Sequence, residues 1–430
     1  MKTEQIYKLF LESAGVTTDS RNIGHNQLFF ALWGEKFNGN EYAAEAIRKG
    51  ASWAIIDDPQ YESENTILVD DCLLELQALA SHHRKQLNIP VLAVTGTNGK
   101  TTTKELLASV LSRKYNIHYT KGNLNNHIGV PLTILSAPSG TQIMIIEMGA
   151  NHIGEIKILC QIAKPDYGII TNIGKAHIEG FGSFEGVIRA KTELYDYIKS
   201  VNGVALYNDK DPLITSKIFN YVIRAVPFSD PAGLPLIIEK EETGMNLTVK
   251  ILYNKQTYIV KTNLFGSYNY WNIKAAVATG LFFEVPVNDV IAAIEGYIPG
   301  NNRSQIKITD KNRLICDSYN ANPSSMHQAL DSFRNLSVEP RLAILGDMLE
   351  LGDQSEQEHA GVVEELYNAG IKEAMLVGKN FSRVNIVQGF KTFPDVASLS
   401  EYIRKNPVKG YTILIKGSRG IGLERIYDLL

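Results

Sequence analysis

Cysteine is scarce in this chain. The three thiols, Cys72, Cys160 and Cys316, lie far apart in apolar stretches and form neither a C-x-x-C pair nor a zinc-ligand spacing. They read as buried, reduced side chains, and no disulfide framework organises the fold. Long apolar runs are also missing. No stretch approaches the ~18 residues that a membrane-crossing helix requires, and the opening ten residues, MKTEQIYKLF, hold neither the apolar core nor the cleavage site of a secretion signal. No single sign of charge dominates. The 43 basic and 46 acidic residues are interspersed and leave a formal net charge of −3, which gives no mark of a nucleic-acid binder. A cytoplasmic monomer with no nucleic-acid or membrane partner is expected.

What is present is an ordinary globular composition, 44% hydrophobic and 21% charged over 430 residues. At ~100–200 residues per domain this length suggests two to four domains, and three regions separate by pattern. Residues 1–88 hold short apolar runs (Leu28–Leu32, Ala54–Ile56) and a helical stretch, Leu73–Leu87, before the break at Asn88-Ile89-Pro90. Residues 89–300 open with the apolar run Val91–Val94 and a helix pattern at Thr103–Arg113. Strand candidates follow at Ile143–Ile146, Tyr167–Thr171 and Val204–Tyr207, the alternation of a parallel sheet covered on both faces. Between 221 and 262 the pattern turns β-rich, as a local antiparallel insert would, and Trp271–Phe283 reads as a helix. Residues 301–430 repeat strand then helix: Arg313–Cys316 before Ser324–Phe333, Arg341–Leu345 before Gln357–Ala369, and Thr412–Ile415 before Ile421–Leu430. The expected architecture is α/β in three domains: a small N-terminal α/β unit, a central parallel-sheet domain built on a phosphate loop, and a C-terminal Rossmann-like unit. Pro299-Gly300-Asn301-Asn302 supplies turn formers for a hinge between the last two.

The strongest chemical signal is Thr95-Gly96-Thr97-Asn98-Gly99-Lys100-Thr101-Thr102, set between a buried strand and a helix. There, backbone N–H groups converge on phosphate oxygens, glycines permit close approach, and the helix N-terminus adds partial positive charge. Lys100 reaches the β- and γ-phosphates and the Thr101 hydroxyl binds Mg²⁺. The loop is a shortened variant, because Val94 stands where the common pattern has its first glycine. By itself it would suit a motor, a switch or a ligase equally.

Other candidates follow strand ends. Glu147 ends the apolar run Ile143–Ile146, at the edge where parallel sheets place ligands, and its carboxylate suits a hard cation. His177 lies beyond another strand, as a loop hydrogen-bonder or a ligand. Lys191 reads from its neighbours as a solvated helix lysine, and an ammonium has no lone pair to offer a metal.

Taken together, Thr95–Thr101, Glu147-Met148-Gly149-Ala150-Asn151-His152, the Ala176-His177 step and Ala190-Lys191 resemble the Mur ligase family in identity and order. The resemblance implies that Lys191 is carbamylated, which turns it into an anionic oxygen donor. It also implies two Mg²⁺ sites, one at Thr101 and Glu147 and one at His177 and the modified Lys191. Within the family, several segments resemble the members that add D-alanyl-D-alanine: Asn123–Thr133, Glu179–Ser183, Asp317–Met326 and Leu345–Gly352. Thr18–Arg21 and Gly34–Asn40 resemble the UDP-sugar-binding domain, with asparagines at 38 and 40 where aspartate and histidine are frequent. The resemblance gives ATP contacts to Gly96, Thr97, Asn98, Gly99, Lys100, Thr101, Thr102, Asn269, Asn272, Arg303 and Asp317. Substrate contacts fall to Ser20, Arg21, Asn125, Asn126, Tyr319 and Asn322. Read from the residues alone, Arg303 is equally a cation on the hinge surface, Asp19-Ser20-Arg21 a polar turn, and the Lys416–Gly420 loop an anion site or a surface turn.

The implied reaction is an ATP-dependent, ADP-forming ligation. The terminal carboxylate of UDP-N-acetylmuramoyl-tripeptide takes the γ-phosphoryl group, and the amine of D-alanyl-D-alanine displaces phosphate from the acyl phosphate. Lys100, Glu147, His177 and Lys191 carry the chemistry, and the third domain swings onto the central one when substrates bind. Competing readings are a family member adding the third amino acid, a folylpolyglutamate-type ligase, and a nucleotide switch that forms no bond.

Overall fold

The parallel pattern read from the strands is realised in three sheets, and the way they are wound places the phosphate loop at their centre. The computed structural model describes residues 2–174, 178–221, 224–241, 244–300 and 302–430. In the N-terminal region, Val16–Thr17, Leu28–Phe30, Trp53–Ile56 and Thr66–Leu68 pair in parallel in sequence order. The helix Cys72–Leu87 closes this unit. The Asp71 carboxylate accepts the Leu74 N–H at its start, and Asn88 ends it in the left-handed conformation just before Pro90.

The central sheet runs Arg224–Pro227, Val204–Tyr207, Tyr167–Ile170, Val91–Thr95, Ile143–Glu147, Ile117–Tyr119, all parallel. The chain builds outward first on one side of Val91–Thr95 and then on the other. That strand, buried at all five residues, is therefore the topological switch point where α/β sheets open a crevice. The helix Lys100–Leu111 begins three residues earlier than its apolar spacing suggested, directly out of the phosphate loop. The β-rich stretch from 221 divides in two. Arg224–Pro227 joins the parallel sheet after the helix Pro212–Tyr221, and only Leu236–Glu241, Asn246–Tyr253 and Gln256–Phe265 form the antiparallel insert.

That insert does not end locally. Leu264 pairs with Gln305, so the antiparallel strands run on into the C-terminal sheet, ordered Gln305–Ile308, Arg313–Asp317, Thr412–Lys416, Arg341–Gly346, Glu373–Val377, Phe390–Phe393. The sequence reading missed Glu373–Val377, Phe390–Phe393 and the helix Val396–Lys405, which are short elements flanked by polar residues. The expected final helix, Ile421–Leu430, is instead two 3₁₀ segments, Arg419–Ile421 and Leu423–Leu429. Left-handed Gly422 interrupts the run, and Leu423 and Ile426 reach the core at the three-residue period of that tighter helix. Among the described residues, no helix is long and apolar enough to cross a membrane.

The N-terminal unit is packed onto the central sheet. One apolar cluster runs from Ile6 through Leu76 and Leu79 to Ile156 and Leu159. Arg84 pins the junction: its guanidinium donates to the carbonyls of Ala163 (2.9 Å) and Lys164 (3.0 Å) and to the Asp166 carboxylate (2.8 Å). It thereby satisfies carbonyls at the end of the helix Glu155–Ala163. Charge-assisted bonds to a buried donor contribute ~1.5–3 kcal/mol each before compensation. Arg84→Met is therefore expected to lower unfolding free energy by about 2–3 kcal/mol in urea titration, whereas exposed Lys85→Met should change it by under about 0.5 kcal/mol.

Candidate functional site

The phosphate loop is held open by the loop that follows the neighbouring strand. Thr97 N–H donates to the Asn172 carbonyl (2.9 Å) and Asn98 N–H to the Asn172 side chain (3.0 Å). The Thr171 hydroxyl and the Asn172 amide both donate to the Asn98 carbonyl (2.6 and 3.0 Å). These bonds fix Gly96 and Gly99 at φ +141° and +78°. A Cβ at Gly96 would collide with the Thr171 hydroxyl, and one at Gly99 with the Asn272 side chain. The Lys100 ammonium folds back onto the carbonyls of Gly96 (2.8 Å) and Thr97 (2.9 Å). Burial lowers its pKa to about 8; Glu147 opposes the shift and Arg303 adds to it.

Glu147, 1% exposed, sits at the end of the adjacent strand. Its Oε1 accepts from the Thr101 hydroxyl (3.0 Å) and the Asn125 amide (2.8 Å), while Oε2 is buried with no hydrogen-bond partner. Lys104, fully buried one helical turn beyond Lys100, comes within 3.7 Å of Oε2 and donates to the Thr120 carbonyl (2.7 Å). A carboxylate oxygen buried without a donor beside a threonine hydroxyl fits Mg²⁺, which takes one or two carboxylates and completes its shell with water and phosphate oxygens. Among the described residues no group of three His, Cys, Asp or Glu side chains is placed to hold a metal. His177 lies outside the described residues.

Lys191 is not a solvated lysine. It is 2% exposed, on the helix Phe184–Ser200, with its ammonium over the Phe181 ring (5.3 Å) and one long hydrogen bond to the Ala150 carbonyl (3.4 Å). Burial, reinforced by Lys100, lowers its pKa to about 7. The helix face that carries Ala190 and Leu194 into the core takes Lys191 with it, which the charged residues around it in the sequence did not reveal.

The third region reaches the loop directly. Asn322 caps the helix Pro323–Arg334 with its side-chain oxygen and donates its amide to Asn98 Oδ1 (2.9 Å), and Asn98 donates to the Ser324 hydroxyl (3.3 Å). The Arg303 guanidinium stacks on the Tyr319 ring at 3.7 Å, and its Nε is buried without an acceptor. Asp317 uses both carboxylate oxygens, one for Ser304 N–H (3.0 Å) and one for Lys416 Nζ (2.7 Å). Lys416 is thus a buried ion-pair partner rather than part of a surface turn, and Arg419 alone of that loop's cations is exposed.

Lys100, Thr101, Glu147, Arg303, Asp317 and Asn322 line one cleft of about 1030 Å³ that all three regions enter, whereas Lys191 and Lys104 lie outside its lining. Asn269 and Asn272 line it too, yet their amides are already committed. Asn269 donates to Ser304 Oγ (3.0 Å) and Phe265 O (2.7 Å), Asn272 donates to Asn269 (2.8 Å), and Thr103 donates to Asn272 (3.1 Å). Asn126 lines the cleft, and its Oδ1 accepts the N–H groups of Ile128 and Gly129 just before the helix Gly129–Leu135. Ser20 and Arg21 stay outside it. Arg21 closes an exposed turn on Asp19 (2.9 Å), whereas Leu73, Leu74 and Gln77 are the N-terminal residues at the cleft. Reading the sequence missed Asn172, Lys104 and Ser304. Asn172 follows a strand end and carries no charge to mark it, and Lys104 shares a helix face with Lys100.

Because both loop glycines are fixed by contact as well as by φ, Gly96→Ala is expected to weaken ATP binding at least ~100-fold by calorimetry while the protein stays folded.

Three family models match along the chain. The Mur ligase family, catalytic domain, model matches residues 12–114; the Mur ligase middle domain matches 94–280; the Mur ligase, glutamate ligase domain, matches 302–419. UDP-N-acetylmuramoyl-tripeptide--D-alanyl-D-alanine ligase of Bacillus subtilis is 34% identical over 96% of this chain and 92% of that protein. The crystal structure of MurF from Acinetobacter baumannii superposes with a TM-score of 0.86 at 31% identity, over 96% of this chain and 92% of that one. MurF ligase from Thermotoga maritima in complex with ADP gives 0.86 at 25% identity, over 98% and 97%. With near-complete coverage, this identity and the cleft geometry lead to one assignment: the chain belongs to the Mur ligase family.

Proposed function

We propose that the chain is an ATP-dependent, ADP-forming ligase that joins D-alanyl-D-alanine to UDP-N-acetylmuramoyl-tripeptide in peptidoglycan precursor synthesis, working as a cytoplasmic monomer. The observation that carries this reading is the half-buried, anion-seeking cluster of Lys100, Arg303 and the phosphate loop, placed beside Glu147 Oε2, which accepts no hydrogen bond. The named relatives supply the acceptor and the amine.

A carboxylate resists amines because oxide would have to leave. Its oxygen therefore attacks the γ-phosphorus of ATP, and ADP departs. The dipeptide's amino nitrogen then adds to the acyl carbon of the mixed anhydride, and inorganic phosphate leaves as the amide forms. Positioning and charge neutralisation do most of the work. The loop N–H groups and Lys100 hold the β- and γ-phosphates, and Arg303 offsets charge on the transferred group. In this reading residues 89–300 bind ATP, residues 301–430 deliver Arg303, Asp317, Tyr319 and Asn322, and residues 1–88 hold the UDP-sugar, with Ser20 and Arg21 on the uridine side. Asn125 and Asn126 face the acceptor peptide.

Thr101 and Glu147 would hold one Mg²⁺, and His177 with a carbamylated Lys191 a second; bound there, the ions would neutralise charge between carboxylate and triphosphate. Lys191 suits carbamylation, the addition of its neutral amine to CO₂ with loss of a proton. The amine is buried with a pKa of about 7, and no carboxylate forms an ion pair with it among the described residues.

Two outcomes test the assignment. With UDP-linked tripeptide, ATP and D-alanyl-D-alanine, mass spectrometry should show the pentapeptide product and one ADP per product. ADP release that ignores the dipeptide would indicate a switch, and turnover with a single amino acid or with glutamate would indicate the other acceptor classes. Lys191→Ala should lower kcat by at least ~10³-fold, with partial recovery in short-chain carboxylic acids; full activity in that variant removes the carbamate. Arg303→Ala should lower kcat ~10²–10³-fold, the scale of one lost charge-stabilising donor.

A further inference from the structure

Arg303 lies between two non-glycine residues in left-handed backbone, Asn302 at φ +56° and Ser304 at φ +49°. Such backbone is disfavoured for a serine, so surrounding contacts must hold it there. Ser304 is 2% exposed, and every polar group it has is engaged. Its N–H donates to Asp317 Oδ1 (3.0 Å), and its carbonyl accepts from Phe265 N–H (3.2 Å). Its hydroxyl shares a hydrogen bond with Tyr268 (2.8 Å) and accepts from Asn269 Nδ2 (3.0 Å).

These bonds reach in two directions. Through Asp317 they enter the C-terminal sheet, where Lys416, the cross-strand partner of Asp317, holds the second carboxylate oxygen. Through Asn269 and Asn272 they reach the Thr103 hydroxyl on the phosphate-loop helix. One buried serine thus ties the helix that begins the nucleotide site to the sheet that carries the third region's contribution, and the residue just before it is the arginine whose Nε has no acceptor.

We propose that Ser304 is a positioning residue. Its hydroxyl node locks the left-handed hinge and thereby fixes Arg303 over the phosphate loop, coupling the seating of the C-terminal region to ATP binding. This rests on the ligase reading only for the role given to Arg303. Every polar group of Ser304 is engaged within the protein, so it acts through where Arg303 is held.

The test is a double-mutant cycle on the full-length protein, read by ATP calorimetry and by kcat/KM for ATP. Ser304→Ala removes the hydroxyl and keeps a left-handed side-chain residue; Ser304→Gly removes the hydroxyl and relieves the backbone. Each should weaken ATP binding and kcat/KM about tenfold, the scale of a lost buried hydrogen-bond node. In an Arg303→Ala background the same changes should cost under about twofold, because coupled sites do not add. Wild-type values for Ser304→Gly, or losses that multiply fully with Arg303→Ala, overturn the proposal. If a Ser304 variant is unfolded by circular dichroism, Tyr268→Phe breaks the node from the opposite side. It should lower ATP affinity about threefold alone and not at all in Arg303→Ala; an unchanged affinity overturns the proposal. A wild-type protein that binds ATP without dipeptide-dependent ADP release defeats the ligase reading, and the binding cycle still decides the role of Ser304.

Discussion

Positive charge buried without its counter-ion governs this site. Lys100 and Lys191 are desolvated enough to bring their pKa values to about 8 and about 7; Arg303 adds to the shift of Lys100, and Lys100 to that of Lys191. Arg303 adds a third cation with a buried, unpartnered nitrogen. A folded protein tolerates this arrangement only where something anionic is meant to arrive. A triphosphate and a carboxylate are two such groups, and bringing them together is the central difficulty of activating an acid with ATP.

The winding of the sheets decides where that charge collects. The strand Val91–Thr95 is flanked by Ile143–Glu147 and Tyr167–Ile170, so the loop after it, Glu147 and the Thr171-Asn172 clamp emerge at the same edge. Lys100 and Lys104 then share one face of the following helix, the first turned to the loop and the second to Glu147. The carboxylate holds one oxygen in place with two donors and leaves the other without a hydrogen bond, faced by the Lys104 ammonium at 3.7 Å. Rigid partners around an unsatisfied atom are the preorganisation that a metal-assisted transfer needs.

The third region reaches the cleft through polar contacts, while Phe265 of the central region packs into its apolar core. Asn322 and Ser324 meet Asn98, Ser304 meets Tyr268 and Asn269, and Arg303 rests on Tyr319. Polar links of this kind are exchanged for water at little net cost, which suits a region that must admit and release substrates. The N-terminal unit is joined differently, by a continuous apolar cluster and the buried Arg84 pin.

The α/β class, the strand Val91–Thr95, the phosphate loop and the placement of Glu147 at a strand end were legible in the sequence, because each depends on local periodicity and on turn chemistry within a few residues. The order and pairing of motifs also carried the family resemblance. Tertiary structure alone decided the rest. It buried Lys191, which its charged neighbours presented as solvated. It paired Lys416 with Asp317 across adjacent strands, 99 positions apart. It kept Ser20 and Arg21 out of the cleft and brought Leu73 and Gln77 to it. It turned the last ten residues into 3₁₀ segments and carried the antiparallel insert into the C-terminal sheet. The reason is physical: burial, register and charge pairing depend on which distant segments fill the space around a residue, and no window of neighbouring residues contains that information.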